Sequence, residues 1–285
     1  MRMEVRLPAY RPVLGISSNN SLNSSRGCGH IPEPTIPRHA PNPLDDIKMP
    51  LHGVELERGR VRNRRAMYNR DYLIQLIEQL GLVLARVLGK AGVPSAGEPL
   101  REIDDAGKMF VGLSSAMIAS FSDNDLITIL RTGGTFDTNK CIAISEIQYA
   151  EGRVLESARD GGGSRLRYQR ALHFLLEALI VDPDLAPAPY EERISELLGR
   201  LNDVQLPRTI MLKLFKYYEN RGAYALAENV LFDMCDAASE EVRNEGTLFY
   251  QRLMKKSDDE LLLGNLPRSE VEEGLREFLE RISFH

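Results

Sequence analysis

The sequence contains no tryptophan, and aromatic residues make up only 7% of the chain. Surfaces that stack nucleic-acid bases or enclose cationic ligands are built from aromatic rings, so such surfaces are less expected here than in an average protein. The three cysteines, Cys28, Cys141 and Cys235, are odd in number and far apart. They indicate no disulfide framework and fit a reducing compartment, so we predict a cytoplasmic protein.

Long apolar runs are also missing from the sequence. No stretch reaches the roughly 18 residues that a membrane-spanning helix needs, and the N-terminus has no continuous apolar segment typical of a signal peptide. We therefore expect no membrane partner. The composition is otherwise that of a globular protein, with 43% hydrophobic and 27% charged residues, so the chain can form a sizeable core.

Charge is divided unevenly along the chain. Residues 1–66 hold eleven Lys or Arg and six Asp or Glu, a net charge of +5, which leaves −10 for residues 67–285 against the total of −5. An acidic body repels nucleic acid and anionic membrane surfaces. We therefore expect no nucleic-acid partner for residues 67–285.

The first 66 residues have the composition of a disordered tail. Eight of the fifteen prolines lie at or before Pro50, and residues 17–25 form a Ser/Asn tract. Such a segment buries too little apolar surface to offset the entropy lost on ordering. A start codon assigned upstream of a true start at Met67 is an alternative explanation. The arginines at positions 58, 60, 62, 64 and 65 are predicted to be a solvated charge run, with a nucleic-acid-binding arm as the alternative.

Hydrophobic periodicity predicts an all-α fold from residue 67 onward, with the first helix at 71–89. This helix carries two adjacent apolar stripes, which are Leu73, Leu76, Leu80, Val83 and Val87, and Ile74, Ile77, Leu84 and Leu88. So wide an apolar face can pack against two helices or against a second copy of itself. A homo-oligomer formed through residues 71–88 is therefore one prediction.

Capping residues, glycines and prolines divide the rest of the body into further helices. The predicted ranges are 99–118, a short helix from Ser122 that stops near Gly133, 138–158, 164–182, 188–201, 206–220, 223–236, 238–256 and 267–282. Gly161–Gly163 is expected to be a flexible turn. No strand is predicted, although Cys141–Ile144 leaves a strand open as an alternative. We divide the body into an N-terminal helical region, 67–135, and a repeat region, 136–285.

The helices of the repeat region form pairs with a period in the thirties, which is typical of helical repeats. One segment resembles the second helix of a tetratricopeptide repeat, through Tyr168, Ala171, Leu172, Leu175, Ala178, Leu179 and Pro183. A longer match comprises Leu214, Tyr218, Gly222, Tyr224, Ala227 and Leu231, with Phe215, Met234 and Ser239 departing from the usual residue types. We therefore expect antiparallel helix pairs stacked as a tetratricopeptide-like repeat.

Three longer runs resemble an uncharacterised bacterial family of cytoplasmic helical proteins. They are DYLIQLIEQLGLVLARVLG at 71–89, ALHFLLEALIVDPDL at 171–185 and SDDELLLGNLPRSEVEEGLREFL at 257–279. The last run is the most specific, because its Gly-Asn-Leu-Pro turn has no generic reason to occur. The resemblance implies an all-helical fold and carries no activity, cofactor or partner.

The sequence contains no recognisable catalytic or metal-binding motif. There is no nucleophile elbow, His-Glu-x-x-His pair or dinucleotide-binding glycine fingerprint. His173 lies within a predicted helix and is expected to be structural or solvated, and Cys28-Gly29-His30 offers two metal ligands at most. We predict a non-enzymatic interaction or scaffolding module without cofactor or metal. A small-molecule sensor or an enzyme with an unrecognised pocket is the alternative.

The predicted partner site lies on the helix at about 207–220. In tetratricopeptide-like pairs the first helix lines the concave surface, and here Leu214, Phe215 and Tyr218 are expected to face neighbouring helices. Spacings of three, four and seven residues place the remaining polar residues on one face. These residues are Lys213, Lys216, Tyr217 and Asn220. Two lysines beside a hydroxyl and an amide can bind an acidic peptide or a C-terminal carboxylate, and a solvated surface is the alternative.

Overall fold

The computed structural model describes residues 75–83, 85–86, 97–132, 134–185, 187–235 and 239–283. They lie within one compact unit that spans Arg64–His285. The predicted tail, the arginine run and the Cys28-Gly29-His30 motif lie outside the described residues. So do several members of both stripes of the first helix.

The described part of the chain is helical apart from one short hairpin, so the all-α prediction is confirmed. Helix α1 comprises residues 75–83 and 85–86. The following elements are α2 (Gly97–Phe110), α3 (Ser115–Ser120), α4 (Asp123–Ile129), β1 (Arg131–Thr132), β2 (Thr135–Phe136), α5 (Thr138–Ser157) and α6 (Gly161–Val181). The chain continues with α7 (Pro187–Arg200), α8 (Arg208–Asn220), α9 (Tyr224–Cys235), α10 (Glu240–Leu253), α11 (Asp258–Leu263) and α12 (Arg268–Ser283).

The single helix predicted at 99–118 is wrong, because two helices occupy this region. Gly112 has a φ of 81°, a left-handed conformation that ends the helical path after α2. The Ser114 hydroxyl then accepts a hydrogen bond from the Met117 N–H and starts α3. The Ser122 cap of α4 is found as predicted, and its hydroxyl accepts from the Asp125 N–H.

The prediction that no strand occurs is also wrong, although only by four residues. β1 and β2 pair antiparallel, with Arg131 opposite Phe136. Gly134 takes a φ of 81° between them, which a tight turn requires and glycine allows. The strand alternative at Cys141–Ile144 is excluded, because these residues are helical and buried within α5.

The glycine triplet is not a turn but the first turn of α6. The Asp160 carboxylate caps this helix by accepting a hydrogen bond from the Gly163 N–H at 2.8 Å. The connection from α5 is therefore only three residues long, and Arg159 takes a φ of 63° within it. So short a link places α5 and α6 side by side along most of their length.

Two hydrophobic cores meet at α5 and α6. The N-terminal core contains buried residues of α1 to α6, including Leu76, Ile103 and Phe174. The C-terminal core contains buried residues of α5 to α12, including Leu172 and Phe215. Helices α5 and α6 contribute to both cores, which explains why their apolar residues cover most of the helix surface rather than a single stripe.

Helix α1 uses one of its two predicted stripes for the N-terminal core. Leu76, Leu80 and Val83 are buried there. Of the second stripe only Ile77 is described, and it is exposed together with Leu82. The homo-oligomer through residues 71–88 therefore stays a prediction.

Candidate functional site

The four residues of the predicted binding stripe do not share one exposed face. The Lys213 ammonium forms an ion pair with Glu177 of α6 and lies mostly below the surface. Tyr217 is buried in the C-terminal core, so its predicted surface position is wrong. Lys216 and Asn220 line an open cavity. Leu214 and Phe215 are buried against neighbouring helices as predicted, and Tyr218 packs partly buried against the same core.

We call the cavity beside Lys216 the α8–α10 groove. It has a volume of about 680 Å³ and lies between the end of α8, the start of α9 and the end of α10. Four basic side chains line it, which are Lys216, Arg221, Arg252 and Lys256. Asn220 and Tyr224 add an amide and a phenol to the same wall.

Two carboxylates lie deeper in the groove and pair with two of these cations. Arg252 donates from Nε and Nη2 to the two carboxylate oxygens of Glu219, at 2.6 and 2.8 Å. Lys216 lies 3.5 Å from Glu245. The side chains of Glu219 and Glu245 are 16% and 27% exposed, whereas those of Arg252 and Lys216 are 44% and 43% exposed. In these two pairs the positive group is therefore the more exposed one, and the negative group lies beneath it.

The other two cations make exposed ion pairs at the rim. Arg221 lies 2.8 Å from Glu191, and Lys256 lies 2.9 Å from Glu260. Hydrogen bonds from Lys256 and from the Ser257 backbone lower the pKa of Glu260 to about 2. Exposed pairs of this kind contribute little to stability because solvent screens them, so an incoming carboxylate can exchange with them at small cost.

A close backbone contact supports the wall of the groove at Tyr224. Gly264 follows α11, and its carbonyl accepts a hydrogen bond from the Ala225 N–H at 3.1 Å. A Cβ at position 264 would overlap the Tyr224 ring and lie 2.6 Å from the Gly222 carbonyl oxygen. The next residue, Asn265, has a φ of 60°. The Gly-Asn-Leu-Pro turn therefore has a specific role, which is to pack against the α8–α9 turn that forms the groove.

A network of polar and charged side chains joins α5 and α7, and sequence reasoning missed it. Glu146 is buried and lies 3.2 Å from the Arg193 guanidinium, which stacks 3.6 Å above the centre of the Tyr149 ring. Tyr149 in turn donates a 2.6 Å hydrogen bond to Glu196. Burial raises the pKa of Glu146 in spite of Arg193. Only the three-residue spacing of Arg193 and Glu196 is visible in the sequence, because the other partners lie on different helices.

His173 is buried, so of the two predicted alternatives the solvated one is wrong. Its Nε2 atom has no hydrogen-bond partner among the described residues. Burial, and then the positive charge of Lys213, lower the pKa of His173 to about 4. The imidazole is therefore neutral at pH 7 and offers no exposed base.

Among the described residues, no group of three or more His, Cys, Asp or Glu side chains is placed to hold a metal ion. None of the helices in that part combines the length and the apolar character that crossing a membrane requires.

Comparison with known proteins identifies the family of the chain. No curated protein matches the sequence, and no solved structure matches it either. The profile of one family, described as a family of unknown function and designated DUF6483, matches residues 67–283. This match covers all of the described residues and well over half of the chain, so the chain belongs to the DUF6483 family of unknown function.

Proposed function

We propose that this protein is a non-enzymatic interaction module that binds an acidic segment of a partner protein in the α8–α10 groove. The observation that carries the proposal is the convergence of four basic side chains on one groove, with Lys216 and Arg252 above more buried carboxylates and Arg221 and Lys256 at the rim. The body around them has a net charge of −10 over residues 67–285. A cluster of basic side chains in an acidic body favours a negatively charged segment over a positively charged one.

The donors in the groove suit carboxylates. A guanidinium has five N–H donors, and Arg252 uses two of its nitrogens for Glu219, so further N–H groups remain for a ligand. Lys216 and Asn220 lie one helical turn apart on α8 and can contact the same extended segment. We assign no partner contact to Lys213, because it forms an ion pair with Glu177, or to Tyr217, because it is buried.

We further propose that α5 to α12 form a tetratricopeptide-like array in which α8 lines the concave surface. Short links support this proposal, since α8 and α9 are separated by only three residues. Consecutive helices with such short links run in opposite directions. On α6 and α9 the matched residues Ala171, Ala178, Ala227 and Leu231 are all buried, as close helix packing in such repeats requires.

A small anionic metabolite is the second candidate for this groove. The volume of about 680 Å³ is in the range of small-molecule sites. However, the groove is open and its lining is mainly charged, which suits an extended segment better than an enclosed ligand. For the location we keep the cytoplasmic proposal, which rests on the cysteines; Cys141 and Cys235 are free and buried.

Site-specific photocrosslinking tests the proposed site in living cells. A photoreactive amino acid at Asn220, which is exposed in the groove, should crosslink to a partner, whereas the same residue at Glu272 on α12 should not. The crosslinked segment is identified by mass spectrometry, synthesised, and titrated against the purified protein. We expect this segment to be acidic.

Charge reversal then tests whether the segment binds to the groove or responds only to the overall charge of the protein. Lys216→Glu with Arg221→Glu should weaken binding of the synthetic segment at least about tenfold, whereas Arg276→Glu on the exposed face of α12 should have little effect. A neutral or basic crosslinked segment would show that the groove is not the site. So would a segment that binds the groove variant and the Arg276→Glu control with equal affinity. A metabolite library that raises the melting temperature of the wild-type protein, but not of the groove variant, would favour the second candidate.

A further inference from the structure

Two adjacent leucines on α11 are exposed to solvent. Leu262 is 66% exposed and Leu263 is 88% exposed, whereas Leu261 beside them is completely buried in the C-terminal core. One leucine is thus sufficient to anchor α11. The other two do not contribute to the core, and a hydrophobic residue held in water is available to a partner.

Helix α11 is attached to the α8–α10 groove at both of its ends. At its start, Lys256 of the groove pairs with Glu260 of α11. At its end, Gly264 packs against Gly222 and Tyr224 in the groove wall. The two exposed leucines therefore lie on a short helix that borders the groove.

The position of α11 is fixed by specific hydrogen bonds. Ser257 and Glu260 form a capping box at its first turn. Arg268 of α12 donates to Asp258 at 2.5 Å and to the Met254 carbonyl oxygen at 3.3 Å. Met254, at the end of α10, also has a partly exposed side chain. The exposure of Leu262 and Leu263 is thus built into the fold rather than caused by a frayed end.

We propose that the docking surface extends from the α8–α10 groove onto α11, and that the partner segment combines carboxylates with large apolar side chains. This inference rests on the proposed function, because the carboxylates are those that the groove would bind. Charge complementarity identifies the acidic part of the segment, and the two exposed leucines on the helix that borders the groove identify the apolar part. Covering one exposed leucine is worth about tenfold in affinity, so the apolar contact is measurable.

Selection from a random peptide library tests the chemistry of the partner and requires no candidate partner. A library of 16-residue peptides displayed on phage is panned against the full-length protein. We expect the enriched peptides to place Leu, Ile, Phe or Met within a few residues of Asp and Glu. Two enriched peptides are then synthesised, each also as a form with serine in place of its apolar residues.

Variants assign each part of the peptide to its surface. Leu262→Gln with Leu263→Gln should weaken the apolar–acidic peptides by about tenfold or more and leave the serine forms unchanged. Met109→Gln on α2 is the matched control, because Met109 is also exposed, at 71%, and lies on another helix. Circular dichroism should show that the leucine variant and the control keep the wild-type helical content.

The outcomes of this experiment separate the two proposals. Acidic peptides without apolar enrichment, or affinities that the leucine variants leave unchanged, would overturn the α11 inference and leave the acidic groove standing. Enriched peptides without acidic residues, or no enrichment at all, would overturn both. If wild-type protein self-associates in sedimentation experiments and the leucine variant is monomeric, the occupant is a second copy of the chain and the inference is wrong.

Discussion

Tyr168 of α6 lies directly across Gly152 of α5. A methyl group at position 152 would stand 2.6 Å from the Cε1 atom of this ring. The Tyr168 hydroxyl donates a 2.9 Å hydrogen bond to Glu156 one turn further along α5, which fixes the ring over the glycine. Because α5 and α6 contribute to both cores, this contact supports the whole described body.

We predict that Gly152→Ala destabilises the protein in spite of the better helix propensity of alanine. The ring cannot move aside without losing its hydrogen bond, so overpacking should lower the free energy of unfolding by about 1–3 kcal/mol. Gly199→Ala is the matched control, since nothing lies within 4 Å of a Cβ there. That substitution should be neutral or stabilise by up to about 1 kcal/mol. Urea denaturation measures both, and equal midpoints would contradict the prediction.

The sequence predicted the helices better than the surfaces that they form. Helix periodicity is local, so α5 and α8 were found to within two residues at either end. The helical state of Gly161–Gly163 was missed, because a glycine triplet favours a turn and only the Asp160 cap makes it helical. Aspartate is a common N-cap residue, so Asp160 is the feature of the sequence that indicates the start of α6.

The candidate site was predicted only in part because it is formed by residues distant in sequence. Helical spacing placed Lys216 and Asn220 on one face, and both line the groove. It could not show that Tyr217 packs into the core or that Lys213 pairs with Glu177, 36 residues earlier. Arg252 and Lys256 reach the groove from another part of the chain, and only tertiary packing brings them there.

A second prediction concerns Ala178 of α6, which is completely buried in the N-terminal core. Close packing there leaves no room for an aromatic ring. Ala178→Phe should therefore lower the free energy of unfolding by about 1–3 kcal/mol or more. Val181→Phe is the control, because Val181 ends the same helix and is exposed. A wild-type denaturation midpoint for Ala178→Phe would show that this face of α6 is not tightly packed.

Acid should destabilise the fold through His173. Its pKa falls from an ordinary value of 6.5 to about 4 in the folded protein, because the imidazole is buried beside Lys213 and Arg170, with Asp123 and Glu177 only partly offsetting them. Between these two values the unfolded chain binds a proton and the folded chain does not. Stability is therefore full above pH 6.5 and decreases as the pH falls toward 4, by up to about 3 kcal/mol.

Denaturation at several pH values tests this prediction. Wild-type stability should fall between pH 6.5 and 4, and His173→Leu should show a shallower slope over the same interval. The slope is the readout, because the substitution also changes packing and so shifts the absolute stability. Identical slopes for the two proteins would exclude His173 as the titrating group.

The N-terminal segment should be dispensable for the stability of the helical body. Both cores consist of residues at position 76 or later among those described, and the composition of residues 1–66 predicts disorder. A truncated chain that starts at Met67 should keep the melting temperature and the helical circular dichroism of the full-length protein. A fall of several degrees on truncation would show that the segment packs against the body.

The last prediction links the Gly-Asn-Leu-Pro turn to binding. Gly264 has an ordinary negative φ, so alanine is unfavourable there for a steric reason alone: its Cβ would overlap the Tyr224 ring and approach the Gly222 carbonyl. Either α11 or the α8–α9 turn must then move, and both border the groove. Gly264→Ala should lower the free energy of unfolding by about 1–3 kcal/mol and weaken partner binding together. Asn265→Gly provides the control. Residue 265 has a φ of 60°, which glycine adopts without strain, so stability should change by less than about 1 kcal/mol.

Denaturation measures the stability of the Gly264→Ala protein, and titration with the crosslinked segment measures its binding. If Gly264→Ala loses stability but binds the segment with wild-type affinity, the turn supports the fold and has no part in shaping the groove.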